Sequence, residues 1–254
     1  MEIWYIIGSV ILVSLLSVIA AIPLLIKKQV PNRLLLILVG VSAGTLLGAV
    51  FLHFLPEATS GSYTVGLALH ILAGFLVFFV VEKLVHYHHS AHKTSGPAHH
   101  HAYHLAPINL TGEVVHNFID GIVIAASYMV SIPLGIAATI SVALHELPQE
   151  IADFGILLYA GLSKKKALLF NFLASLSAIL GALVGIIAFT QIDDFQDFAI
   201  PFAIGAFLYI AASNLVPELH REKKLLDSVL QLLAIVVGIG IMLLLVLYAP
   251  HAHG

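Results

Sequence analysis

Eight long apolar runs constrain the fold of this chain more than any other feature of its sequence. They cover residues 3–26, 34–55, 63–85, 108–130, 132–162, 167–190, 198–216 and 225–248. Each has the length, about 20 residues, that an α-helix needs to cross the hydrocarbon core of a bilayer. Because 60% of the residues are hydrophobic and only 10% are charged, the composition excludes a soluble globular domain. The sequence therefore predicts an all-α integral membrane protein, a single domain of eight transmembrane helices over residues 1–254.

The positions of the basic residues predict how these helices are oriented. All 11 Lys and Arg fall at every second connection, and the other connections and both ends of the sequence carry none. Since basic residues stay on the cytoplasmic side, both termini are predicted to lie outside, and residues 86–107 form a cytoplasmic loop. Without a long soluble domain in the sequence, we expect a plasma membrane, the inner membrane of a prokaryote. The net charge of −3 gives no indication of nucleic-acid binding.

An internal repeat relates the second run to the seventh at an offset of 161 residues. Its matching positions are Gly44 with Gly205, Leu47 with Leu208, Pro56 with Pro217 and Glu57 with Glu218. Under the predicted topology the second helix runs outward and the seventh inward, so the repeat is inverted. Inverted repeats with a binding site where the two halves meet are typical of secondary transporters.

The fourth and fifth runs carry ionisable and amide side chains, which a lipid-spanning helix normally excludes. The candidate ligands are His116, Asn117, Asp120, His145, Glu146, Gln149 and Glu150. Because ionisable groups inside a membrane are costly, such a set indicates an ion or proton site. Imidazole, carboxylate and amide groups together suit a divalent metal ion. The chain has no cysteine, which excludes thiolate ligands.

The turn between these two runs predicts which side chains meet. Residues 131–133 read Ser-Ile-Pro, the only turn signal in the region, and predict a tight antiparallel hairpin. Residues four apart on a helix share a face. The resulting register places Asp120 opposite His145, His116 opposite Gln149, and Glu113 level with Asp153.

A buried polar network that only holds two helices together is the alternative to a metal site. Its weakness is the cost of burying charge, because the hairpin has no Lys or Arg near its carboxylates. Those carboxylates are Glu113, Asp120, Glu146 and Glu150. Pro148 in the fifth run frees the Leu144 carbonyl, which either offers the ion an oxygen or only bends the helix.

Other polar residues are candidates for the path of the ion. His53 lies near the outer end of the second helix, and Glu218 and His220 lie at the inner end of the seventh. Glu113 and Asp153 flank the hairpin site. A lone histidine inside a membrane is more often a packing residue with a hydrogen bond, and this interpretation is applied to His70, for which the sequence indicates no partner.

The loop over residues 86–107 is rich in histidine. It is either a plain flexible loop or a segment that captures metal ions weakly, since imidazoles bind zinc and neighbouring metals. We prefer weak capture. The residues predicted to take part are His88, His89, His99, His100 and His101.

The two hairpin motifs resemble those of the ZIP family of divalent-metal transporters. They read His-Asn-Phe-Ile-Asp-Gly at 116–121 and His-Glu-Leu-Pro-Gln-Glu at 145–150, and residues 51–58 resemble the second helix of that family. The resemblance covers essentially the whole chain. It implies eight helices in a 3+2+3 arrangement, a two-metal site between helices 4 and 5, a homodimer, and alternating access by an elevator-like shift.

The resemblance also implies ligands for each metal position. The first would use His116, Asp120, His145 and Gln149, and the second Asn117, Asp120, Glu146 and Gln149. Two departures stand out: Gln149 replaces a histidine that is usual in the related branch, and helix 6 has no Asp, Glu or His, whereas some members carry a carboxylate there.

These observations predict a carrier that brings a divalent cation into the cytosol, Zn²⁺ first and Fe²⁺, Mn²⁺ or Cd²⁺ as alternatives. An exporter is an alternative because topology does not determine the direction of flux. An intramembrane zinc hydrolase is another, since His145-Glu146 begins like a His-Glu-x-x-His motif. Gln149 stands where that motif needs its second histidine.

Overall fold

The computed structural model of the chain describes residues 2–26, 31–91, 105–220 and 224–248. All regular structure in these residues is helical, and the helices follow the order of the eight apolar runs. They are α1 (Glu2–Ile26), α2 (Asn32–Ala49, continued by Val50–Phe54 and Leu55–Ala58), α3 (Val65–Ala91), α4 (Leu105–Val130), α5 (Ile132–Tyr159), α6 (Lys164–Ser175 and Ser177–Gln191), α7 (Phe195–Tyr209, continued by Ile210–Leu215 and Val216–Leu219) and α8 (Leu225–Tyr248).

Seven of the described helices are long and apolar enough to cross a membrane. The eighth, α5, has 28 residues, and its second half contains the polar motif at 145–150, which lowers its hydropathy. It packs against α1, α2 and α4, so this polar half lies against other helices. The chain is therefore a multi-pass membrane protein, as its sequence predicts.

The loop between α3 and α4 is shorter than predicted. The helical backbone of α3 continues to Ala91, through the first six residues of the predicted loop, and α4 begins at Leu105. The sequence explains the extension, because no Gly or Pro occurs after Gly74 until Gly96 and Pro97. Residues 92–104 lie outside the described part of the chain.

Both repeat-related helices contain a π-helical turn just before a proline. In α2 the turn covers Val50–Phe54 and precedes Leu55-Pro56, and in α7 it covers Ile210–Leu215 and precedes Val216-Pro217. Proline lacks an N–H and crowds the carbonyl four residues earlier, and the wider π turn relieves that crowding.

Close packing at glycine shows the repeat in three dimensions. Gly44 of α2 lies so near α8 that a Cβ there would overlap the Ile235 carbonyl. Its repeat equivalent, Gly205 of α7, lies equally near the Ile71 carbonyl of α3. Small residues at helix contacts allow backbones to approach in this way. The α2–α8 pair is thus the counterpart of the α7–α3 pair, as an inverted repeat requires.

The α4–α5 hairpin sits between these pairs. The Ser131 side chain caps α5 by accepting a hydrogen bond of 3.3 Å from Leu134 N, which makes the tight turn expected from the sequence. On the other side of α4, Gly121 and Gly181 let α4 and α6 approach closely. The Ser14 hydroxyl of α1 donates to the Ser175 carbonyl of α6 at 2.9 Å. Helices packed on several sides of the hairpin therefore fix the positions of the polar faces of α4 and α5.

Candidate metal centre

Four buried side chains from α4 and α5 converge on one point. We call His116, Asp120, His145 and Glu146 the histidine cluster; one ligand atom of each lies within 4.8 Å of the others. His116 Nε2 is 3.3 Å from both His145 Nε2 and Glu146 Oε1. His145 Nε2 is 3.2 Å from Asp120 Oδ2. Two imidazole nitrogens and two carboxylates around one point form a ligand set that suits Zn²⁺.

Helix geometry and one backbone contact orient His145. Its Nδ1 lies 2.9 Å from the Ser141 carbonyl, one turn earlier on α5. Because a carbonyl only accepts hydrogen bonds, Nδ1 donates the proton and Nε2 keeps its lone pair toward the cluster. Metal-binding histidines are usually held in this way by a partner behind the ring.

Several carboxylate oxygens in the cluster have no hydrogen-bond partner. Both oxygens of Asp120 and Oε1 of Glu146 are buried and accept no hydrogen bond, although imidazole nitrogens lie within ion-pair distance. Neither α4 nor α5 contains a Lys or Arg. Buried polar atoms nearly always have a hydrogen-bond partner. A cation bound among these carboxylate oxygens would supply the interaction that they lack.

A second group of carboxylates adjoins the first. We call Glu113, Glu146 and Glu150 the carboxylate cluster; their oxygens also lie within 4.8 Å of one another, and all three side chains are buried. Asn117 Nδ2 donates to Glu113 Oε1 at 2.5 Å. Asn171 of α6 donates to Glu150 Oε2. Glu146 belongs to both clusters, so the two groups are continuous.

Gln149 contacts a residue that the register does not pair with it. Its Nε2 donates to Glu113 Oε2 at 3.4 Å, and Glu146 Oε1 lies 3.3 Å from His116 Nε2. The register gives the depth of each residue but not its angle around the helix axis. The structure does bring Asp120 to His145, and the Asp153 side chain contacts those of Glu113 and Asn109.

The carbonyl freed by Pro148 has a partner from another helix. The Ser42 hydroxyl of α2 lies 2.5 Å from the Leu144 carbonyl and 2.7 Å from the Leu38 carbonyl. The suggestion that the Leu144 oxygen offers a ligand is therefore not supported by its contacts. Instead, the carbonyl that Pro148 leaves free gives α2 an attachment point directly before His145.

Two further histidines inside helices bond to backbone carbonyls. His53 Nε2 lies 3.0 Å from the Met242 carbonyl of α8, apart from both clusters. His70, interpreted from the sequence as a packing residue with a hydrogen bond, has such a bond, because its Nδ1 lies 3.1 Å from the Asp197 carbonyl. Pro201 follows Asp197 by four residues and cannot donate to that carbonyl, so His70 takes the place of the missing N–H.

The remaining candidates lie at the ends of helices or outside the described residues. His220 is exposed in the turn after α7, and Glu218 is described only as helical backbone. His88 and His89 belong to the helical backbone of α3. The other three, His99, His100 and His101, lie outside the described residues.

Asn171 and Ser42 are the contributors that the sequence pattern did not identify. Asn171 is a single amide in the otherwise apolar middle of α6 and is fully buried. Buried amides in transmembrane helices usually need a partner, which is the signal that singles it out. Nothing local to Ser42 links it to residue 144, because the two are 102 positions apart.

Comparison with known proteins gives consistent similarities. The sequence profile of the ZIP zinc transporter family matches residues 2–107 and 100–246. Zinc transporter ZIP13 of Pongo abelii is 34% identical over 83% of this chain and 66% of its own length. Zinc transporter zipt-7.2 of Caenorhabditis elegans is 29% identical over 96% of this chain and 65% of its own. The ZIP13 homolog of Drosophila melanogaster is 29% identical over 89% and 81%. The chain thus spans about two thirds of the first two relatives.

Proposed function

Because the chain belongs to the ZIP zinc transporter family, we propose that it carries a divalent metal cation across a membrane into the cytosol, with Zn²⁺ as its substrate. The observation that carries this proposal is the histidine cluster. Its two carboxylates are buried, and neither Asp120 oxygen accepts a hydrogen bond.

The chemistry of the cluster supports zinc as the substrate. Two imidazoles and two carboxylates supply nitrogen and oxygen ligands, and their two negative charges balance one divalent cation. Fe²⁺, Mn²⁺ and Cd²⁺ accept similar ligands and are expected competitors. Gln149 donates to Glu113, so we assign it a supporting role.

The proposed orientation rests on charge. The alternation of the basic residues favours both termini outside, with the loop after α3 in the cytoplasm. The α4 and α5 ends that carry Leu105 and Tyr159 then face the cytosol. A prokaryotic inner membrane and a homodimer remain part of the proposal, the first from composition and the second from the family resemblance.

The zinc hydrolase is a poor alternative. ZIP zinc transporters are transporters rather than enzymes, and this chain belongs to that family. The position where a His-Glu-x-x-His motif needs its second histidine holds Gln149, whose amide donates to Glu113.

Uptake into proteoliposomes tests the proposal. Purified protein is reconstituted into liposomes that contain a zinc-sensitive dye. Zinc uptake is then measured with Fe²⁺, Mn²⁺ and Cd²⁺ as competitors. We expect saturable zinc uptake that His145→Ala removes. The matched control is His53→Ala, which changes a half-buried histidine outside the clusters. Zinc uptake by His145→Ala protein at the parental rate would contradict the proposed site, and efflux without uptake would favour an exporter.

A further inference from the structure

We propose that Ser42 of α2 and Ser141 of α5 are positioning residues for the metal ion, because their hydroxyls hold the turn of α5 that leads into His145. The two hydrogen bonds run from Ser42 to the Leu144 carbonyl and from Ser141 to the Thr45 carbonyl, and we call them the serine clamp. This inference rests on the proposed function. It gives α2 a part in holding the histidine cluster.

The first bond of the clamp replaces a hydrogen bond that α5 cannot make. Pro148 has no N–H, so the Leu144 carbonyl lacks the donor that normally lies four residues further along a helix. The Ser42 hydroxyl lies 2.5 Å from this carbonyl and donates to it. Ser42 is fully buried, and water has no access to it. Because a buried carbonyl without a partner is unfavourable, the Leu144 carbonyl ties α5 to α2 at this point.

The second bond lies about one turn away and has its donor on the other helix. The Ser141 hydroxyl donates to the Thr45 carbonyl at 3.3 Å, and both residues are fully buried. Thr45 follows Ser42 by three residues on α2, whereas Ser141 precedes Leu144 by three residues on α5. The two bonds therefore match the register of antiparallel helices, and each helix supplies one donor and one acceptor. Two such bonds restrain both the shift of α5 along α2 and its rotation.

The clamped turn determines where the His145 ring lies. His145 follows Leu144 directly, and its Nδ1 donates to the Ser141 carbonyl at 2.9 Å. The clamp thus holds the residue before His145 in the chain and the residue behind its ring. On its other side the ring directs Nε2 at Asp120 Oδ2, 3.2 Å away. Since a metal site must be held to within about 0.5 Å, a shift of this turn changes how the ion is bound.

The Ser42 hydroxyl also has a second acceptor within reach. It lies 2.7 Å from the Leu38 carbonyl of its own helix, and a hydroxyl has a single proton to donate. If α5 moves away from α2, Ser42 turns to Leu38 and keeps a hydrogen bond, whereas the Leu144 carbonyl loses its donor. The cost of opening the clamp therefore falls on α5, which carries ligands of the ion. The clamp accordingly slows release of the ion.

Equilibrium dialysis of the full-length protein in detergent against zinc chloride tests the clamp. We expect Ser42→Ala to weaken zinc binding about 10-fold, the lower end of the effect of a metal site's supporting groups. Zinc release, measured by stopped flow, should be faster by a similar factor because the clamp opposes release. Ser141→Ala should have a smaller effect, since Ala49 has an N–H that can donate to the Thr45 carbonyl.

A second substitution shows whether the Leu144 carbonyl carries the effect. Pro148→Ala restores an N–H four residues after Leu144, so this carbonyl gains a donor within α5. In a double-mutant cycle, Ser42→Ala should therefore cost much less zinc affinity in the Pro148→Ala protein than in the parent. Equal losses of affinity in the two proteins would contradict the proposed role of the carbonyl.

The matched control is Ser175→Ala. Like Ser42, Ser175 is buried, and its hydroxyl lies near one carbonyl of its own helix and one of another helix, those of Phe172 at 2.9 Å and Ser14 at 3.2 Å. A purely structural role predicts the same result for both serine variants, a lower melting temperature with parental zinc affinity. We expect only Ser175→Ala to keep the parental affinity and release rate.

The outcomes separate the clamp from the proposed function. Parental zinc affinity and release in folded Ser42→Ala protein would overturn the clamp. If His145→Ala loses uptake in the same experiments, the proposed function stands without the clamp. Parental uptake by His145→Ala would instead contradict the site on which the clamp acts.

Discussion

Two pairs of histidines in the transmembrane helices have opposite surroundings. His53 and His70 each place a ring nitrogen 3.0–3.1 Å from a backbone carbonyl of another helix. His116 and His145 instead direct Nε2 at each other and at carboxylate oxygens, some of which accept no hydrogen bond. The first pair donates hydrogen bonds to backbone carbonyls. The second pair surrounds a point where hydrogen-bond acceptors outnumber donors.

The difference shows that position in a transmembrane helix does not decide what a histidine does. A ring that donates to a carbonyl of another helix adds to helix packing, and at His70 it also replaces a missing backbone donor. A ring whose lone pair faces carboxylates adds a further acceptor to a site that has too many, and only a cation makes such a site favourable. The partner on the other side of the ring decides the role.

Replacing Asp120 should have the largest effect. We expect Asp120→Ala to lose zinc binding by at least about 100-fold and to lose transport, because a direct ligand should matter more than its supporting groups. Zinc uptake per folded molecule is measured beside melting temperature. If Asp120 only holds helices together, stability falls but the folded fraction transports normally, and the contrast between the two histidine pairs disappears.

Substitutions at Gln149 should have intermediate effects. Its amide holds Glu113 at 3.4 Å, so Gln149→Ala should weaken zinc binding and transport only partially. Gln149→His brings an additional imidazole to the site and should tighten zinc binding while slowing its release. Equilibrium binding and single-turnover release separate these effects. An unchanged release rate with tighter binding would show that the new ring does not contact the ion.

His53→Ala should lower stability and leave zinc affinity unchanged. The variant removes one hydrogen bond to α8, which typically costs about 1 kcal/mol and lowers Tm by about 2–4 °C in a chain of this size. Zinc affinity should match that of the parent protein. A clear loss of affinity with no loss of stability would place His53 on the ion path and break the distinction between the pairs.

Removing the histidine-rich loop should have the smallest effect. Because α3 continues to Ala91, the deletion is limited to residues 92–103, replaced by a short Gly/Ser segment. We expect initial uptake to fall only at low zinc concentration, since the loop is proposed to capture ions rather than to conduct them. Complete loss of uptake in normally inserted protein would contradict this role.

The sequence allowed the helical architecture to be predicted because lipid imposes long apolar runs and charge is confined to their ends. Asp120 and His145 meet as expected because a short turn fixes the depth of both helices. The partners of Gln149 and His70 were not predictable. The first depends on rotation about a helix axis, and the second on a carbonyl 127 residues away that a proline leaves free.

The paired π-helical turns preserve the spacing of the internal repeat. A π turn adds one residue to a helix and rotates everything beyond it by about 100°. Gly44 and Gly205 lie before the turns and Glu57 and Glu218 after them, yet both pairs are 161 residues apart. A residue gained in one copy alone would have changed this spacing. Both halves therefore carry the extra residue, and the Pro-Glu pairs that follow the two turns keep equivalent rotations about their helix axes.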